Sequence, residues 1–355
     1  MINLISDTAT KPTPGMLKAM FAAEVGDDVF RADPTINRLE AVAAERFGMD
    51  AGLFCPSGTM TNQLAIKCHT QPLDEIICEE KSHIYQYEAG VYSMLSGVSI
   101  NLVHGDRGRI QPGQVSAAVK AHADWLPTSR LVVMENTCNK GGGAIYTIDA
   151  ARKIVEEARS KNLAVHLDGA RLFNALVETG EDAADWGNTF DTVSICLSKG
   201  LGTPLGSLLL GNQELINRAR RYRKAIGGGM RQAGYLAAAG LYALEHNVDR
   251  LKEDNDKAKR LGAALQELPF VASVEPVETN ICIFHLAGEW MAEDFLHELK
   301  ALGVEAVPFG PQTVRFTTHL DVSDDEIEQT IKVLQQLGLR TPTSDPETQA
   351  VPPAR

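Results

Sequence analysis

Apolar positions along this chain follow two alternating patterns. Short runs rich in β-branched and aliphatic residues, bounded by Gly, Pro or Asp, occur at 51–55, 75–78, 99–103, 131–135, 163–167, 191–197 and 206–210 and read as strands. Stretches with helical spacing separate many of them, at 16–23, 34–47, 59–69, 149–161 and from about Arg171. Strand-helix alternation of this kind predicts a mainly parallel sheet with helices on both faces. The segment 234–267 is Ala- and Leu-rich and helical in pattern. Beyond it, 282–286, 304–308 and 313–317 read as strands, and 291–302 and 323–337 as helices covering one face of a smaller α+β unit. Ser323 followed by Glu326 has the spacing of a capping box. The first 35 residues, rich in Asp, Thr, Pro and Gly, predict an arm with little regular structure before Pro14. The stretch 341–355 has four prolines and no apolar period, and predicts disorder.

Bulk properties narrow the function. A chain of 355 residues allows two or three domain-sized units. The net charge of −12, without a dense basic block, argues against nucleic acid or an anionic membrane as the main partner. No apolar run approaches the roughly 20 residues of a membrane span. Met1 to Asp7 lacks a basic region and a secretory core, so the expectation is a cytoplasmic protein. Six cysteines without paired spacing read as reduced core thiols. Nine scattered histidines, none in a His-x-x-x-His pair, give no support to a metal site.

Two strand ends carry the chemistry. The run 191–197 ends in Ser198-Lys199-Gly200, and the run 163–167 ends in Asp168-Gly169-Ala170-Arg171. Ligands of open α/β sheets bind beyond the carboxyl ends of the strands. An amine and an acid delivered there suit pyridoxal 5′-phosphate. Lys199 can hold the aldehyde as a Schiff base, and Asp168 the pyridinium proton. The apolar neighbours Ile195, Leu197 and Leu201 favour the neutral amine that must attack. Ser57-Gly58-Thr59 opens a helix after a strand and would supply a phosphate subsite, although alone it is no more than a helix cap. Arg171 could hold the ring oxygen or a substrate carboxylate, or be a structural partner of Asp168. His83 could lie on the pyridine face, act as a base, or be structural. The basic stretch 218–224 before Gly227-Gly228-Gly229-Met230-Arg231 could be a solvated face or a phosphate contact for a neighbouring subunit. Arg315 could reach a carboxylate from the far side of the cleft.

Together these pieces resemble the low-specificity threonine aldolases of the aspartate-aminotransferase-like superfamily, fold type I. The resemblance runs from Ile2 to about Leu337. It rests on Ser6-Asp7-Thr8-Ala9-Thr10, Val25-Gly26-Asp27-Asp28-Val29, Asp33-Pro34-Thr35, His83 with Glu88-Ala89-Gly90, Glu135-Asn136-Thr137, the Asp168 and Lys199 runs, Gly227 to Gln232, and Val314-Arg315 before Thr318-His319. It implies a large domain with a mainly parallel seven-stranded sheet, and a smaller C-terminal α+β domain. The expected division is an arm at 1–14 joining the small domain, the large domain at 15–240, the small domain at 241–340 and a tail at 341–355. It also implies Lys199, His83 and Asp168 as catalytic residues. Ser57, Gly58, Thr59, Arg171, Lys224 and Arg231 would join them in holding the cofactor, the last two from across a subunit boundary. Ser6, Arg171 and Arg315 would bind the substrate carboxylate, with Tyr87, Trp125 and Phe30 lining the substrate site. Trp125 falls where the family often has a second active-site histidine, and Phe30 where it often has tyrosine. The implied reaction is retro-aldol cleavage of threonine or allo-threonine to glycine and an aldehyde, by a homodimer with shared sites, usually paired into a homotetramer. The rivals are an aminotransferase or β-eliminating lyase on the same scaffold, and a cofactor-binding protein without turnover.

Overall fold

The structure, a computed structural model, describes residues 1–338; the tail expected to be disordered, 341–355, lies outside the described residues. The strands are β1 (Ile2–Asn3), β2 (Ala51–Cys55), β3 (Asp74–Glu79), β4 (Ser99–Val103), β5 (Thr128–Glu135), β6 (Ala164–Gly169), β7 (Thr192–Cys196), β8 (Ser207–Gly211), β9 (Val271–Val274), β10 (Ile281–Leu286), β11 (Val304–Glu305), β12 (Val307–Gly310) and β13 (Thr313–Thr317). Seven of them form one sheet in the order β2-β8-β7-β6-β5-β3-β4. Only β8 runs against its neighbours; the other pairings are parallel. Its strands are apolar on both faces, as a sheet covered by helices on each side requires. The fold type I expectation therefore holds.

Parallel strands put all their carboxyl ends at one edge. The chain leaves that edge toward Gly58 after β2, His83 after β3 and Lys199 after β7, while Glu135 and Asp168 close β5 and β6. Register sets Glu135 beside Asp168 and Asp168 beside Ser194.

A second core lies under an antiparallel sheet ordered β12-β13-β10-β9. Phe284 sits at its centre, with the Phe316 ring at 5.0 Å and the Phe295 ring at 5.8 Å. The strand expected at 304–308 is two. Val304 pairs in parallel with Ile2, whereas Val307 pairs with Arg315 of β13. The opening segment thus spans the two cores: Ile2 and Leu4 belong to the second one, and Thr10 donates to the Lys199 carbonyl at 3.0 Å. No described helix is long and apolar enough to cross a membrane.

Candidate active site

The helix Gly58–His69 starts at the carboxyl edge of the sheet. Ser57 caps it, accepting from Met60 N–H at 3.2 Å. The N–H groups of Gly58 and Thr59 precede the first intrahelical bonds and have no acceptor within the helix. A Cβ at Gly58 would stand 2.7 Å from Cys196 Sγ, so only glycine lets this turn close against the strand that leads to Lys199. The result is a helix start able to hold an anion, packed against the strand residue Cys196 that shortly precedes Lys199.

Asp168 is buried. Its Oδ1 accepts from Ala170 N–H at 3.1 Å and its Oδ2 from Asn62 Nδ2 at 2.7 Å. Asn62 also donates to Glu88 Oε1 at 2.9 Å, and the same oxygen lies 2.9 Å from His83 Nδ1. Burial alone would lower the His83 pKa, but the hydrogen bond to Glu88 and the charges of Asp168 and Glu135 outweigh it and raise it. The His83 backbone N–H donates to Glu135 Oε2 at 2.7 Å. Burial, and then the negative charge of Asp168, push the Glu135 carboxyl up to about 7. His83, Glu88 and Asp168 hold ligand-type atoms within 4.8 Å of one another. The Asn62 amide and the His83 ring N–H fill that space, so hydrogen bonds hold the carboxylates together there.

Two arginines are held by the opening segment. Arg171 Nε and Nη2 both donate to Asp7 at 2.7 Å, and Asn280 adds a bond at 3.1 Å. Burial raises the Asp7 pKa, but Arg171 outweighs it and holds the carboxyl well below the usual range, with a smaller contribution from Lys199. The structural partner of Arg171 is therefore Asp7 rather than Asp168. Arg315 donates to Asn139 Oδ1 at 2.8 Å and to the Ile5 carbonyl at 2.9 Å, and its guanidinium stands 4.9 Å from the Phe309 ring centre. Burial, then the charge of Arg171, lower its pKa to about 10. Its Nε is buried without a partner among the described residues. Ser6 follows Ile5 directly, its hydroxyl accepting from Thr8 Oγ1 at 2.8 Å. The Tyr87 ring centre lies 5.5 Å from that of His83.

The fold thus gathers Lys199, Asp168, His83, Tyr87, Gly58, Thr59, Ser6, Arg171 and Arg315 at one sheet edge. The other expected residues are exposed on the surface of the chain. Trp125 is 84% exposed and precedes β5, at the opposite edge from Lys199. Phe30 is 77% exposed. Lys224 is exposed at the end of the helix Gln213–Ala225, and Arg231 pairs with Asp27 at 2.8 Å. The basic stretch is not a plain solvated face: Arg220 and Arg223 turn inward onto Glu40 and Asp28. Asp7, Asn62, Glu88, Glu135 and Asn139 were not singled out as site residues from sequence. Asp7, Glu88 and Glu135 stood inside the family-like motifs, which was their one signal.

This donor set fits pyridoxal 5′-phosphate. The open helix start could receive a dianion, the buried and hydrogen-bonded Asp168 could receive a ring nitrogen, His83 is held by Nδ1 with its other nitrogen left over, and Lys199 follows a strand end. The model of the beta-eliminating lyase family matches residues 3–289. The low specificity L-threonine aldolase of Escherichia coli K12 is 41% identical over 332 residues, covering 93% of this chain and 97% of that protein. Among solved structures, a Leishmania major threonine aldolase superposes with a TM-score of 0.82 at 21% identity, covering 95% of this chain and 100% of that one. An SPT structure described as holding PLP superposes with a TM-score of 0.73 at 16% identity, covering 95% and 87%.

Proposed function

As the chain belongs to the beta-eliminating lyase family, we propose that it is a pyridoxal 5′-phosphate enzyme that cleaves threonine, allo-threonine and related β-hydroxy-α-amino acids to glycine and an aldehyde. The observation that carries this is the meeting of Lys199, Asp168, His83 and the open Gly58 helix start at one sheet edge, in a chain 41% identical to a threonine aldolase.

Lys199 would hold the cofactor's aldehyde, Asp168 its ring nitrogen, and Ser57, Gly58 and Thr59 its phosphate. The cofactor supplies an electron sink for the pair left on the α-carbon when Cα–Cβ breaks. Arg315, held by Asn139 and the Ile5 carbonyl, would anchor the substrate carboxylate beside Ser6. Arg171 gives two of its donors to Asp7, so it meets a carboxylate with what remains of its fork. This anchoring would orient the substrate about its α-carbon, and so select which bond breaks. His83 gives Nδ1 to Glu88, which leaves Nε2 for the substrate hydroxyl. Lys224, Arg231, Trp125 and Phe30 would meet a cofactor or substrate only in the cleft of a second subunit, in a cytoplasmic homodimer that pairs into a homotetramer. The proposed division is an arm at 1–14, a large domain at 15–240 and a small domain at 241–340, of which 339–340 lie outside the described residues. Ile2 and Leu4 in the second core support the arm's place, while the first core runs on to Leu251 and the second resumes at Leu261, which moves the change of core past 240.

Release of glycine and aldehyde from the four threonine stereoisomers tests the reaction. Lys199→Ala should abolish it, and borohydride should fix the cofactor to Lys199. Label on another lysine would overturn the assignment. The family description also favours β-elimination as a second reading; ammonia release without glycine would establish that instead.

A further inference from the structure

The helix Gly58–His69 buries polar residues where a core helix usually buries apolar ones: Thr61, Asn62 and Gln63 are at most 2% exposed. Asn62 stands between Asp168 and Glu88 and donates to both. An amide with a carboxylate on each of its hydrogens has one favourable orientation. Turned over, its oxygen would face both anions. Asn62 Oδ1 therefore faces His166, whose Nε2 lies 3.1 Å away and must carry the proton. His166 Nδ1 is then an acceptor, served by the Thr192 hydroxyl at 2.9 Å. The Thr192 carbonyl, 3.2 Å from the same nitrogen, favours the opposite tautomer, but that would set Nε2 and Asn62 Oδ1 against each other as two acceptors. Having donated, the Thr192 hydroxyl accepts from His69 Nε2 at 3.0 Å. Each link has one direction, from His69 inward. Burial pushes both imidazoles down to about 4, so each is neutral with a single N–H, as the chain requires. At the inner end Glu88 is fully engaged, by Gln63 Nε2 at 2.7 Å on one oxygen and by His83 and Asn62 on the other.

We propose that Asn62 is a positioning residue for the reaction: its one amide, oriented through His69, Thr192 and His166, ties the acid that meets the cofactor's ring nitrogen to the carboxylate that orients His83. This rests on the reading of Asp168 given under the proposed function. Asn62 aims an N–H at one Asp168 oxygen and Ala170 an N–H at the other, which fixes where the carboxylate stands; a ring N–H would meet it there and a ring C–H would not.

The test compares full-length enzyme reconstituted with pyridoxal 5′-phosphate and with its 1-deaza analogue, in which C–H replaces the ring nitrogen. The readout is the ratio of the two cofactors' dissociation constants. Wild type should hold the natural cofactor more tightly. Asn62→Leu should cut that preference roughly tenfold, the scale of one charge-assisted hydrogen bond. Thr192→Val, two links away, should cut it less and in the same direction, and it serves if the leucine variant does not fold. General damage to the site would weaken both cofactors alike and leave the ratio unchanged. An unchanged ratio in the folded variants would overturn the proposal. Equal affinities in the wild type would overturn the role of Asp168 itself, and that outcome is recognised without any variant.

Discussion

Asp7 shows how a buried charge can serve a site without touching substrate, by holding the Arg171 guanidinium in place. Both are buried, and the pair is bidentate. Asp7→Asn removes the counter-charge and leaves Arg171 enclosed. Breaking a buried pair in this way typically costs about 3–5 kcal/mol, and denaturant midpoints should show it. The depressed Asp7 carboxyl stabilises the fold above the ordinary carboxylate value of about 3.9. The gap between wild type and variant should therefore be full near neutrality and close as pH falls below about 4; a gap that persists in acid would contradict the pairing. Glu135 has the opposite sign. Between its ordinary 4.5 and about 7 the folded state holds a proton that the unfolded state has lost. Wild-type stability is thus drawn down as pH rises through that window and levels off above it. Glu135→Gln cannot titrate, so its stability relative to wild type should climb from about pH 4.5 to about pH 7 and then stay level. A pH-independent difference would mean that Glu135 is ionised throughout.

At the scale of elements, the helix Asp324–Leu337 begins with a closed capping box. Ser323 Oγ accepts from Glu326 N–H at 3.2 Å, and Glu326 Oε2 accepts from Ser323 N–H at 2.8 Å. Ser323→Ala should cost about 1 kcal/mol, read as a lower unfolding midpoint with unchanged turnover; an unchanged midpoint would show that the box carries no stability. This box was legible in sequence because its signal is local. So were β5 and β6, whose apolar runs end in Glu135 and Asp168. Helices of seven residues or fewer were not, such as Val91–Ser96, Pro112–Ala118 and Ala183–Thr189, because two turns are too short for a helical period to emerge. Val304–Glu305 and Val307–Gly310 read as one strand because periodicity cannot show that their partners differ. Asn62 was hidden for a related reason. A polar residue in a helix suggests a wet face, and only the carboxylates arriving from β6 and from the loop after His83 make it an interior one.

At the scale of the whole molecule, the chain alone leaves parts of the expected site outside its own cleft. Phe21, Phe30, Met94 and Trp125 are each more than three-quarters exposed, a pattern that suits contact with further subunits. Arg231 and Lys199 should then complete one site from two chains. Co-expressed Lys199→Ala and Arg231→Ala chains, each inactive alone, should recover about a quarter of wild-type activity through hybrid dimers. Mixed preparations as inactive as their parents would place each site within one subunit. The opening segment has a consequence of another kind. Ile2 pairs with Val304, Ile5 holds Arg315, and Asp7 holds Arg171. On a ribosome adding about 5–20 residues per second, the first of these partners trails the other by tens of seconds. Throughout that interval the apolar Ile2 and Leu4 have no core to enter, and the carboxylate anchor does not exist. The nascent chain can complete its large sheet early, yet it becomes an enzyme only once Arg315 has been made.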